Sequence, residues 1–140
     1  MNNKLILFKN EFEVIAIDRD ELSRLSMLDF EYYWDYLKDR CETVEELESE
    51  LYEVAHEVAD NAVPVYNNQI NDEFNSLSIW EVDSLIEEAK WNYGADALLS
   101  DGYTRFQQQI LYFKYYQEVC EDIRIIIDNI EVEDIEEIEE

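Results

Sequence analysis

The chain has 140 residues, the size of one domain, and its 36 Asp and Glu against 10 Lys and Arg give a formal charge of −26, far past the magnitude of roughly 2 to 8 that solubility calls for. That balance argues against nucleic acid and anionic membrane as direct ligands, since cations make phosphate contacts, and towards a partner with a basic surface. Apolar residues at 47% and aromatics at 14% exclude a chain too polar to fold, while two Gly and one Pro leave too few turn formers for a sandwich or barrel. The class expected is all-α, about five helices in a single acidic domain over residues 1–140.

Residues 4–17, KLILFKNEFEVIAI, alternate imperfectly around Lys9, Asn10 and Glu11. The pattern is compatible with a short N-terminal β-hairpin, an extension over residues 1–19 that must pack on something to be stable. No small-residue cleavage site follows Lys4, and no run approaches the 18 or so apolar residues of a membrane span, so an intracellular protein without a membrane partner is expected. Leu22, Leu25, Leu28, Tyr32, Tyr36 and Leu37 follow helical spacing, with Asp18 or Asp20 as cap, and predict a helix over 20–39.

Thr43 and Glu46 form a capping-box pattern, and Val44, Leu47, Leu51, Val54, Ala55 and Val58 then make one apolar stripe that should end near Asn61. Pro64 suits the first turn of a new helix over 64–75, with Tyr66, Ile70 and Phe74 as core or dimer-packing positions. Ser78 and Glu81 make a second capping box for a helix over 79–92, and Gly94 is placed to close it. From Phe106 to Ile130 spacings of three and four predict one long terminal helix, while the carboxylates of 131–140 should fray its end. Cys41 and Cys120 lack CxxC spacing and read as reduced packing residues.

Between Cys41 and Ala89 there are fourteen acidic residues and no Lys or Arg. Glu46, Glu50, Glu53, Glu57 and Asp60 recur at three or four residues, which places successive carboxylates about 5 Å apart along one helix face. Phosphates of one DNA strand advance about 3.4 Å per nucleotide along the axis, so such a row can imitate a phosphate row. A plain solvated helix face has the same composition, and charge alone does not separate the two.

EVADNAVPVY, Glu57 to Tyr66, resembles the signature turn of the Ocr family of phage antirestriction proteins, in which an acidic helix precedes an ADNAVP sequence. Ala59 to Pro64 match that turn residue by residue, Tyr66 falls on an aromatic position, and EVEDIEEIEE is similar to the family's acidic ending. The likeness covers about residues 29–75 and the last forty; the first 28 and Ser78 to Gly102 depart from it. It implies an elongated helical homodimer in the host cytoplasm that presents carboxylates in place of B-form DNA phosphates and blocks the DNA groove of type I restriction-modification enzymes or related defence complexes.

The phosphate-mimicking surface so expected comprises Asp29, Glu31, Asp35, Asp39, Glu42, Glu45, Glu46, Glu50, Glu53, Glu57 and Asp60 from the first half, with Glu118, Glu121, Asp122 and Asp128 from the terminal helix. Asn61, Ala62, Val63 and Pro64 form a structural turn that aims the acidic helices, Asn61 being suited to a left-handed helix end. The alternative within the binding class is an acidic immunity, antitoxin-like or anti-CRISPR inhibitor that holds one basic partner through a local patch.

An enzyme is not expected, nor a cofactor or metal. Glu53 and His56 make an ExxH pair, but His56 is the sole His, so neither a di-iron set nor an HExxH zinc motif can be completed. No nucleophile motif surrounds either Cys. Trp34, Trp80 and Trp91, with Tyr112, Phe113, Tyr115 and Tyr116, read as core or dimer-interface residues, since base-stacking platforms sit in positive grooves.

Overall fold

The computed structural model describes residues 3–93 and 102–134. Among these, three strands and six helices follow one another: β1 Lys4–Lys9, β2 Glu13–Asp18, α1 Arg19–Leu22, α2 Phe30–Leu37, α3 Val44–Ala62, α4 Asn67–Asn75, α5 Ile79–Tyr93, α6 Tyr103–Asp128 and β3 Ile130–Asp134. The chain is therefore mostly helical but mixed, not all-α, because the two ends of the described chain supply a three-stranded antiparallel sheet. Its residues group into two compact units, one comprising the chain up to Ala55 and from Val119 onward, the other His56–Glu118.

In the first unit the hairpin pairs Lys4 with Asp18 and Lys9 with Val14, with a bulge between Ile6 and Phe8. Its turn is set by Asn10, whose side-chain oxygen accepts from the backbone N–H of Phe12 and Glu13. β3 pairs with β2, Ile17 opposite Ile130 and Glu13 opposite Asp134. The acidic stretch expected to fray is thus a strand as far as Asp134, and residues 135–140 lie outside the described chain. Lys4 explains much of the difference: its ammonium reaches Glu131 at 2.6 Å and Glu133 at 2.7 Å. Those two hydrogen bonds hold Lys4 charged well above the ordinary lysine range, and the carboxylates left on β3 discourage edge-to-edge pairing.

The helix predicted over 20–39 is two helices. α1 ends after four residues, and the N–H groups of Ser26, Met27 and Leu28 all point at the Asp122 carboxylate, at 3.2, 2.7 and 2.9 Å. Asp29 then caps α2 through the N–H of Tyr32. Asp122 is 2% exposed, so it anchors a loop from within the fold and does not belong to the acidic surface. Its position one face round from the solvent side of α6, between buried Val119, Ile123 and Ile126, is the physical reason.

The same unit buries Ile17, Phe30, Trp34, Leu37, Leu47 and Leu51. Trp34 meets Phe8 in a T-shaped contact with centroids 5.4 Å apart and stacks on Phe30 at 6.2 Å, which seats the sheet on α2. Thr43 and Glu46 cap α3 as predicted: the N–H of Glu46 donates to the Thr43 hydroxyl at 3.1 Å, while the Glu46 carboxylate accepts from the N–H of Glu42 at 3.3 Å.

In the second unit Leu85, Ala89, Ile110 and Phe113 form a core, with Phe74, Leu77, Ile86, Phe106 and Tyr112 packed against it. Ser78 and Glu81 make a reciprocal capping box at the start of α5, Glu81 N–H to Ser78 hydroxyl at 3.1 Å and Ser78 N–H to Glu81 carboxylate at 3.2 Å. α5 runs one residue past its predicted end, and Gly94 lies outside the described residues. Gly102, before α6, has φ of 95°, a backbone state that favours glycine, and its carbonyl accepts the N–H of Phe106.

The ADNAVP turn is built differently from its prediction. Asn61 and Ala62 belong to the last turn of α3, and among the described residues none but Gly102 has positive φ, so Asn61 is not a left-handed cap. Pro64 is buried, its carbonyl accepts from Gln108 Nε2 at 3.0 Å, and α4 begins three residues later at Asn67. Proline steers its predecessor Val63 out of the helical region, which ends α3 without a left-handed residue.

Asp122→Ala strands three N–H groups, one of them buried, and should destabilise the protein by at least about 3 kcal/mol in urea titration, whereas Asp122→Asn, which keeps one acceptor oxygen, should lose less. A change below about 0.5 kcal/mol for the alanine variant, within the spread of ordinary surface substitutions, would show that the loop holds without the carboxylate.

Candidate functional site

α3 separates its two chemistries by angle. At about 100° per residue, Glu46, Glu50, Glu53, Glu57 and Asp60 fall within an arc of roughly 80°, centred about 140° from the stripe of Leu47, Leu51, Val54, Ala55 and Ala59. The stripe is buried, Leu47, Leu51, Ala55 and Ala59 with no exposed surface at all. Of the acidic set, Glu46, Glu53, Glu57 and Asp60 are exposed and Glu50 is half-buried.

The fifteen carboxylates expected to imitate phosphates divide into three groups. Asp122 is buried and committed to the loop. Four are matched by cations: Glu31 by Arg19 at 2.5 Å, Asp35 by Lys38 at 2.9 Å, Glu121 by Arg124 at 2.6 Å and Glu118 by Lys114 at 3.6 Å. Such pairs are local dipoles and imitate an uncompensated phosphate poorly.

The remaining ten, Asp29, Asp39, Glu42, Glu45, Glu46, Glu50, Glu53, Glu57, Asp60 and Asp128, form no ion pair among the described residues. In the first unit these centre on the loop before α3 and its first three turns, where Asp39, Glu42, Glu45, Glu46 and Glu53 are all exposed. Asp29 and Glu46 also use their carboxylates at helix starts, accepting from the N–H of Tyr32 and of Glu42, a use that keeps their charge and fixes their direction. The field they create is felt nearby: burial, reinforced by Glu50 and then Glu46, pushes the Cys41 thiol above its ordinary range.

In the second unit, Glu57 and Asp60 are joined on solvent-facing positions by Asp72 of α4 and Asp83 of α5, both exposed. Periodicity within α3 could not find these two, but the absence of cations between Cys41 and Ala89 marks them. Ile70 is buried and Phe74 packs on the core of the second unit, whereas Tyr66 is 68% exposed and is not part of that core.

His56 is taken up by aromatic partners: Nδ1 contacts the Tyr112 hydroxyl and the ring stacks on Tyr116 at 4.7 Å between centroids. It lines a polar cleft of about 450 Å³ with Asp60, Arg105, Gln108 and Tyr112. Among the described residues no group of three or more His, Cys, Asp or Glu side chains is arranged to hold a metal, and no helix is long and apolar enough to cross a membrane. The chain matches no protein-family model, no curated protein and no solved structure.

Glu53 has like charges at both Glu50 and Glu57, each pair worth about 0.2 to 0.5 kcal/mol of repulsion on a helix surface. Glu53→Gln should therefore raise stability by about 0.5 to 1 kcal/mol at low ionic strength, a gain that disappears in about 1 M salt. Thermal melts at the two salt levels read this directly, and a destabilised variant at low salt would show that the Glu53 carboxylate has a favourable partner.

Proposed function

We propose that the protein is a DNA mimic: a non-catalytic inhibitor whose uncompensated carboxylates occupy the basic DNA-binding channel of a host restriction-modification or related defence enzyme. The single observation that carries this reading is the segregation on α3, where a one-sign row of carboxylates with no cation partner among the described residues lies opposite a buried apolar stripe. Evolution of a merely soluble surface mixes the signs, and does so elsewhere in this chain, as at Arg24 with Glu21 and Lys90 with Glu87.

The mechanism is competitive occlusion. A channel lined with Lys and Arg binds DNA largely by exchanging counterions with phosphates, and a rigid polyanion offers the same exchange. The α3 row rises about 1.5 Å per residue, so alternate steps of three and four residues space its charges at about 4.5 and 6 Å along the axis, wider than the axial advance of about 3.4 Å between phosphates along one DNA strand but of the same order. Long-range attraction between a chain of charge −26 and a basic channel also speeds encounter. The ADNAVP likeness supports the same reading, adds the homodimer and the host cytoplasm to it, and favours a type I enzyme as target.

A displacement assay tests it. Increasing protein should release labelled cognate duplex from a purified type I restriction-modification enzyme. Single changes such as Glu50→Gln should weaken this less than about threefold, and joint neutralisation of Glu45, Glu50 and Glu53 by at least about tenfold, because the contacts are many and weak. Failure to displace DNA at low salt removes this target, and one indispensable carboxylate would contradict mimicry in favour of a local patch.

A further inference from the structure

We propose that the solvent face of α5 carrying Trp80, Ser84, Glu87 and Trp91 is a second docking surface, built for an arginine-bearing segment of a partner protein. Steps of four, three and four residues place these side chains on one side of the helix, away from Leu85 and Ala89, which are buried in the core of the second unit. Trp80 is 82% exposed and Trp91 88%, whereas Trp34 is 5% exposed. Two tryptophans held in water lose the apolar contribution a core position gives them, and such residues dominate binding energies where they are covered.

Charge complementarity identifies what covers them. α5 carries Glu81, Asp83, Glu87 and Glu88; Glu87 is paired with Lys90 at 3.6 Å, Glu81 caps the helix and Glu88 takes Gln117, while exposed Asp83, three residues from Trp80, has no ion pair among the described residues and is the carboxylate offered beside the indole. An indole face beside a carboxylate suits a guanidinium: the planar cation stacks on the ring while its edge hydrogen-bonds the acid, which the ammonium of lysine does less well. A hollow of about 280 Å³ lies beside Trp80, lined also by Glu81, Ser84, Leu85, Lys114 and Gln117. Lys114 does not contest it, since its charge is directed to Glu118 and to the Tyr115 ring.

A second copy of the chain would bring the same carboxylates to this face and be repelled. Eleven residues of helix separate the two indoles by about 16 Å along the axis, which an extended peptide spans in about five residues. The inference rests on the proposed function only in taking the partner to be a basic protein.

The test uses the full chain with labelled octa-arginine and octa-lysine peptides in about 0.5 M salt, where general attraction to a polyanion is screened. Octa-arginine should bind at least about tenfold more tightly than octa-lysine, in line with cation–π contributions at two rings. The preference should fall below about threefold in Trp80→Ala/Trp91→Ala. Trp80→Leu/Trp91→Leu, which keeps apolar bulk on the same helix, should lose it equally, so a folding defect in the alanine variant does not decide the outcome. Equal affinity for the two peptides on the unaltered protein, or an arginine preference that survives both double variants, overturns the inference. So does sedimentation in which the unaltered protein self-associates and the variants do not, since a second copy is then the occupant. Glu50→Gln/Glu53→Gln should leave the arginine preference intact, which separates failure here from failure of DNA mimicry.

Discussion

Burial of Leu47 and Leu51 holds α3 in place against its own surface charge, and the remaining structure depends on that outcome. Each leucine removed wholly from water contributes about 1.5 to 3 kcal/mol, while each like-charge pair along the solvent side opposes the helix by a few tenths. Both leucines have no exposed surface, so the apolar side prevails and carboxylates at three- and four-residue spacing are tolerated. The result is a row of negative charge on α3 whose placement is set by the buried side of the helix, not by the charges themselves. A flexible acidic segment of equal charge would lose more entropy on binding a channel.

Carboxylates in this chain perform distinct tasks that composition alone merges. The carboxylates of Asp18, Asp29, Glu46 and Glu81 accept from backbone N–H groups at helix starts, where an anion also meets the favourable end of the helix dipole. Asp122 is spent inside the fold on Ser26, Met27 and Leu28. Glu131 and Glu133 are matched by Lys4. Setting aside Asp122 and the cation-paired residues leaves an uncompensated set, the capping Asp29 and Glu46 included, concentrated at the start of α3, smaller than the net charge of −26 suggests but more sharply placed.

Local signals in the sequence translated well into structure. Both capping boxes were readable because the partners lie three residues apart, and the stripe of α3 because burial follows helical period; α6 was readable as a long helix, but Leu111, Val119 and Ile126, off the predicted stripe, are buried too, and Ile130 begins β3. Long-range causes were not readable. The break between α1 and α2 depends on Asp122, more than ninety residues away, and β3 depends on Lys4 and on the edge of β2, since a Glu-rich segment has little strand preference of its own. The ADNAVP turn was legible as a helix end but not in its conformation, because Pro64 acts through Val63 and a buried carbonyl contact with Gln108. Of the candidate site, the α3 row was legible from spacing, and the pairs of Asp35, Glu118 and Glu121 lie three or four residues from their cations and were open to the same reading, while the pair of Glu31 with Arg19 was not, and the exposure of Trp80 and Trp91 ran against the usual burial of large aromatics.

Ionic strength gives the most direct test of the central claim that uncompensated carboxylates on α3 substitute for phosphates. Affinity for a purified type I restriction-modification enzyme should fall linearly with the logarithm of salt concentration, with a slope of several units that drops by up to about one for each of Glu45, Glu50 and Glu53 neutralised. A slope near zero, or one unchanged in the triple variant, would contradict the account.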